Sequence, residues 1–126
     1  MAAHENVSPS QFAEHLLSFG GDRVIGHEGD PDLTNIMTRG KTFSGKDPIM
    51  MPGAPSRCHG NVCALHDANP HVKVHTGFAL SDDGTWRPHS WATSGKNVVE
   101  TTTPRSKYLG FRMNNQELDE FKFNNG

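Results

Sequence analysis

Residues 72–103, VKVHTGFALSDDGTWRPHSWATSGKNVVETTT, decide the fold. Val72, Val74, Thr76, Phe78 and Leu80 alternate with Lys73, His75, Gly77 and Ala79, the period of two that a strand requires. SDDGT supplies turn chemistry centred on Asp83 and Gly84, TWRPHSWAT follows as a second antiparallel strand, and a turn at SGK leads to a third, NVVETTT. Pro104 ends this strand, because proline lacks the donor that a ladder uses. His71 and His75 share a face of the first strand with Lys73, the pattern of a solvated face.

On the N-terminal side, SPSQFAEHLLSFGG carries the signals of a helix over 9–19: Ser8 as N-cap, Pro9 at N1, Gln11 closing a capping box, and Gly20 and Gly21 as the stop. Phe12, Leu16 and Phe19 form its apolar stripe, with Ala13 and Leu17 beside them. Residues 22–57 hold Gly, Pro, Asp and Thr at short intervals without a sustained period, which reads as an irregular segment with short elements, of the kind that shapes a cleft. NVCALHDA reads as a helix entered through Arg57 and Cys58, and a last helix starts at Asn114 with Glu117 at N3 and Leu118 and Phe121 as apolar contacts, leaving KFNNG as a frayed end. Helices and strands in separate blocks give an α+β fold. The expected organisation is a single domain over 1–126: a helical and irregular part over 1–56, a helix and sheet over 57–112, and a short helix over 114–123.

The chain of 126 residues is 33% apolar with 13 Gly and 8 Pro, which suggests a small core and many loops. Its net charge is -2 and it has no basic run, so no nucleic-acid partner is expected, and no apolar run approaches the length needed to cross a membrane. MAAHENVSPS has neither a basic nor an apolar leader region, so the expected location is cytoplasmic, where two cysteines are free thiols.

Both cysteines fall in CHGNVCALH, residues 58–66, together with two histidines. Helical spacing lets His59, Cys63 and His66 converge on one face, but tetrahedral zinc would need a fourth ligand and the short Cys knuckle is missing. Redox chemistry of the C-x-x-C type is absent, and helical residues five apart point about 140° away from each other. A catalytic thiol is the third reading. Cys58, in a first helical turn, has free N–H groups and the positive end of the dipole to stabilise a thiolate, whereas Cys63 lies a turn later beside Val62 and Leu65.

Such a thiol needs a histidine brought in by the fold. His4, His15 and His27 lie in the N-terminal part, and His71 and His75 on the polar face. His89, within WRPHSW, has aromatic and proline neighbours that limit water and fix its ring. The next strand offers one carboxylate, Glu100, to orient it, and counting through a turn at Ser94 and Gly95 places Glu100 opposite Ser90 or His89.

A cysteine opening a helix, then HSW on one strand and ETT on the next, resembles the Cys, His, Asp order of the transglutaminase-like branch of the papain-like superfold, whose corresponding runs are H-A-W and D-x-T. CHGNVCAL, GFALSDDGTWRPHSW and VVETTTPRSKYLGF also resemble the C-x-x-N, G-[YF]-A, H-[AS]-W and Y-[FL]-G segments of small bacterial and phage-type members. The likeness covers residues 56–112, and Glu stands here where Asp or Asn is usual. It implies a papain-like α+β fold with the catalytic helix packed on a small antiparallel sheet. It further implies a thiol acyl-transfer enzyme (hydrolase, deamidase or transferase) with Cys58 as nucleophile, His89 as base and acid, and Glu100 orienting His89. The Cys58 N–H would contribute to an oxyanion hole, with His59, Asn61 and Trp91 as candidates for the second donor or for shaping the cleft, and Arg87 and Arg105 as candidates for holding an anionic group. A small-molecule or peptide substrate is implied, with no cofactor or metal. Two other readings stay open: a non-catalytic binding domain on the same fold, and a small zinc-stabilised module using His59, Cys63 and His66.

Overall fold

The computed structural model describes residues 7–125. In chain order these form α1 (Pro9–Leu17), β1 (Arg23–Val24), α2 (Leu33–Arg39), β2 (Lys41–Ser44), β3 (Ile49–Met50), α3 (Cys58–Ala68), β4 (Lys73–Leu80), β5 (Thr85–Ser94), β6 (Asn97–Glu100), β7 (Lys107–Arg112) and α4 (Asn115–Asn125). His4 and the first residues of the N-terminal segment lie outside the described residues.

Local signals account for the helix ends. In α1 the Ser8 hydroxyl accepts from Gln11 N and the Gln11 side chain accepts from Ser8 N, the reciprocal capping box. The helix closes at Leu17, two residues earlier than expected, because Phe19 N turns to Leu16 O at 2.9 Å and Gly20 N to Leu17 O at 3.1 Å, a tightened final turn. Asn114 and Glu117 exchange bonds of 2.8 Å each way to start α4, which runs on through the expected frayed end to Asn125.

The sheet order is β2-β7-β4-β5-β6-β3, with β1 parallel to β5 at its far end. The expected meander β4-β5-β6 is present, but it forms part of a curled, mostly antiparallel seven-stranded sheet rather than the whole of it. β7 lies on the other side of β4 and carries β2 beyond it, so the segment after Pro104 returns as a strand between two elements far away in sequence. The region read as irregular contributes α2 and three short strands.

At the β4-β5 corner Gly84, at φ +82, takes the left-handed position, and its N–H donates to Ser81 O at 3.0 Å. The β5-β6 turn is formed by Gly95 and Lys96, between the paired residues Ser94 and Asn97. It is centred one residue later than the sequence suggests, which shifts the register: Ala92 faces Val99, so the next step sets Glu100 level with Trp91 rather than with Ser90 or His89. Trp91 and His89 share a face by the period of two, so Glu100 still comes out on the side of His89.

The two faces of the sheet bury different things. Phe12, Leu16, Ile36, Phe78, Trp86 and Leu109 form the core under α1 and α2, and Leu65, Val72, Ala92 and Val99 form a smaller one under α3. On the opposite face Ala79, Trp91, Val98 and Tyr108 pack together with Phe43 of β2. This second layer corrects the reading of His75. The ring is only 6% exposed, parallel to Trp91 at 5.8 Å and edge-on to Phe43 at 4.9 Å, because the curl of the sheet brings β2 over it. His71 and Lys73, nearer the end of the sheet, are exposed as expected.

At the level of His89 the neighbouring residues on β4 and β7 are Gly77 and Gly110. A Cβ on Gly110 would meet the Thr76 carbonyl and come within 2.5 Å of Trp91 Cη2, so the indole occupies space that glycine leaves free. No helix among the described residues is long and apolar enough to cross a membrane.

Gly110→Ala is expected to destabilise the protein by about 1–3 kcal/mol through overpacking against Trp91. A urea midpoint that falls at unchanged slope would show this, and an unchanged midpoint would contradict the packing described.

Candidate functional site

The most demanding group in the site is the Glu100 carboxylate, completely buried at the end of β6. Its Oε1 accepts from His89 Nε2–H at 2.9 Å and from the Tyr108 hydroxyl at 2.7 Å. Its Oε2 accepts from the Thr102 N–H at 2.9 Å and the Thr102 hydroxyl at 3.0 Å. Burial alone would raise this acid, but the His89 hydrogen bond and charge, helped by Tyr108 and Thr102, hold it down at about 2. The Tyr108 phenol is raised, by burial first and then by the carboxylate beside it, and so stays a donor.

His89 is 2% exposed. Burial pulls its pKa down, but the opposing pull of Cys58 and Glu100 is larger and the net shift is upward, favouring the imidazolium. Nε2 is committed to Glu100, and the ring lies near-parallel to Trp91 at 6.2 Å and tilted against Tyr108 at 6.0 Å, so its orientation is fixed from several sides.

Cys58 is the first residue of α3, half-buried, after Arg57, whose side chain makes no capping bond. The first-turn N–H groups of the helix therefore have no side-chain acceptor, and their partial positive charge falls on the thiol. Burial raises the Cys58 pKa, but the adjoining imidazoles of His59 and His89 overcome this and bring it to about 5. The helix packs on the face of the sheet that carries Ser90 and Ala92, whereas His89 belongs to the other face. They meet at an opening in the sheet. β5 is paired on that side by β1 at Thr85 and Trp86 and by β6 from Ala92 to Ser94, which leaves 87–91 with β4 alone. Pro88 lies within this interval, where a missing donor forfeits no ladder bond on the open side.

His59 lines a cleft and also touches the thiol. Its Nδ1 lies 2.6 Å from Ser90 Oγ and 3.9 Å from Cys58 Sγ, and the Ser90 hydroxyl donates to Thr76 Oγ1 at 3.0 Å. It is thus a second imidazole beside the sulfur, anchored to β5 and packed edge-on to Phe121. Asn61 is not with the triad: its amide donates to Ala54 O at 2.8 Å and accepts from Ala54 N at 3.0 Å, pinning the loop before α3. Trp91 is completely buried, and its indole N–H has no partner among the described residues, so it supports His89 from beneath rather than lining a surface cleft. Arg87 is held by Asp83 at 2.8 and 3.2 Å on the β4-β5 hairpin, and Arg105 donates to the Thr103 carbonyl of its own loop.

The convergence of His59, Cys63 and His66 that helical spacing permits is not realised. His66 Nδ1 faces Lys122 Nζ at 2.7 Å, Cys63 is 1% exposed with its thiol pushed up by burial, and no cluster of three or more potential ligands occurs among the described residues. Sequence reasoning missed Tyr108 and Thr102 as partners of Glu100. The apolar and aromatic run in KYLGFR offered a signal for β7, but nothing local aims Tyr108 at Glu100, since the two meet only through the order of the strands.

Two clefts border α3, and both take walls from the segment read as irregular. One of about 320 Å³ opens beside His59, between Pro88, Phe121 and Asp30 to Asp32. A more apolar one of about 570 Å³ runs between Met50, Met51, Asn61 and Thr101. Chemically, the arrangement holds a thiol ionised below neutral pH next to an imidazole whose other nitrogen is bound to a buried carboxylate. Comparison with family models, curated proteins and solved structures gave no match.

Alkylation of the native protein by iodoacetamide is expected at Cys58 alone, with a pH midpoint near 5, rising in His89→Ala toward the ordinary thiol value of about 8.5. An unshifted wild-type midpoint would refute the ion pair. Glu100 also makes stability depend on acid: its pKa drops from 4.5 in the unfolded chain to about 2 in the fold, so its contribution is complete above 4.5 and disappears as pH falls toward 2. Chemical denaturation across that interval should show the loss in the wild type and a flatter slope in Glu100→Gln.

Proposed function

We propose that the protein is a thiol-dependent acyl-transfer enzyme of the papain-like, transglutaminase-like type, acting on an amide or related acyl bond of a small-molecule or peptide substrate. The observation that carries this reading is the buried His89–Glu100 hydrogen bond of 2.9 Å beside a cysteine at an uncapped helix start. An acid and a base buried together at this depth are costly unless each is held in a defined protonation state, and that control is what acyl transfer from a thiol requires.

The Cys58 thiolate attacks the substrate carbonyl carbon, forming a C–S bond while the C=O electron pair moves to oxygen. The Cys58 N–H and the free N–H groups of the first turn of α3 receive that oxyanion. Collapse of the tetrahedral species breaks the bond to nitrogen, and the His89 imidazolium gives its proton to the departing amine. His89, now neutral, takes a proton from water or from an acceptor amine, whose attack releases the acyl group and regenerates the thiolate. Glu100 stays ionised throughout and keeps His89 in the tautomer that faces sulfur with its other nitrogen. The cleft lined by His59, whose ring lies 3.9 Å from the sulfur, offers substrate room beside the thiol.

Mass spectrometry after incubation with activated esters and with glutamine- and asparagine-containing peptides should detect an acyl adduct on the wild type and none on Cys58→Ala. Glu100→Gln should slow acylation by about 10²- to 10⁴-fold. Equal labelling of Cys58→Ala, or no adduct from any member of the panel, would sink the proposal.

A further inference from the structure

On the face that holds the aromatic layer, away from α3, the register gathers a set of cations that the acyl-transfer reading does not use. Lys73 pairs across to Thr93, His75 to Arg112 and Lys41 to Gly110, so all these side chains point to one side at the same end of β2, β7, β4 and β5. They line a cleft of about 350 Å³ with Phe43 as its apolar wall. In a chain of net charge -2, the exposed Lys41, Lys73 and Arg112 form no ion pair among the described residues. Arg39 also borders the cleft, but it is neutralised by two bonds to Glu117 at 2.6 and 2.9 Å.

A second observation on the same cleft is independent of charge. His75 forms part of the lining and is 94% buried; its Nε2 is bonded to Thr93 Oγ1 at 3.0 Å, and its Nδ1 is buried without a partner. Burial, and then the Arg112 charge, brings His75 down to about 4, so at neutral pH the ring is uncharged. When Nε2 accepts the Thr93 proton, Nδ1 carries the hydrogen and is a donor awaiting an acceptor. Polar groups left unsatisfied at this depth in a native structure require a reason, and an acceptor supplied by a ligand is one.

We propose that this cleft binds a small phosphorylated molecule, with Lys41, Lys73 and Arg112 around the dianionic phosphoryl group, His75 Nδ1–H donating to it, and Phe43 against the remainder. Three unpaired cations match a dianion better than a single carboxylate, and Arg112 can contact two phosphoryl oxygens at once. The site is separate from Cys58, and neither reading depends on the other.

Inorganic phosphate titrated into the full chain at constant ionic strength, with acetate in a parallel series, tests this by calorimetry and by NMR of the His75 ring nitrogens. Phosphate is expected to bind saturably, to move the His75 signals, and to bind about tenfold more weakly in Lys73→Gln and in Arg112→Gln, the loss of one charge-assisted contact each. The alkylation rate of Cys58 should be the same in both variants as in the wild type. A response that tracks ionic strength without saturating, undiminished binding in Arg112→Gln, or acetate binding as tight as phosphate would each overturn the assignment.

Discussion

The burial of one carboxylate organises this molecule. Removing an ionised Glu from water costs several kcal/mol even after the surroundings relax, and only near-complete hydrogen bonding in good geometry offsets that cost. Glu100 obtains it from four donors spread over three segments: His89 on β5, Tyr108 on β7, and the backbone and hydroxyl of Thr102 just beyond β6. Each donor has to arrive at the right level for the others to be of use. The β5-β6 turn, the placement of β7 beside β4 and the bend after Glu100 are therefore coupled, and the aromatic layer of Trp91, Tyr108 and Phe43 keeps competing water away.

The thiol depends on the same arrangement at one remove. A helix start can lower a cysteine's pKa, but a half-buried sulfur loses hydration that it must recover elsewhere. Here His89 recovers part of it because Glu100 holds that ring as an imidazolium, and His59, fixed to Ser90 and through it to Thr76, supplies the rest. The break in pairing along β5 is what allows a residue on the helix face and one on the aromatic face to meet at all.

Much of this could be read along the chain, where the physics is local. The capping boxes of α1 and α4, the alternation in β4 with the turn that leads into β5, and the position of Cys58 at a helix start all rest on interactions within a few residues, and the structure has them. His89 and Glu100 could be singled out because consecutive strands usually pair. What escaped was set by distant segments. β2 and β3, four and two residues long, are too short to display a period, and β7 gains its place only by pairing with β4 and β2. His75 looked solvated because nothing near it in sequence announces that Phe43 covers it. The amide of Asn61 looked available for chemistry until the loop at Ala54 was found holding it.

The two-residue turn at Gly95 and Lys96 has a consequence for how such a chain can change over time. Loops in small proteins normally tolerate gain or loss of a residue. Adding or deleting one residue between Ser94 and Asn97 instead reverses the facing of everything after it, carrying Glu100 to the helix side and away from His89 and Tyr108. Insertions and deletions in related sequences should therefore avoid this turn, and of its two residues Gly95, at φ +60, is the less free to change.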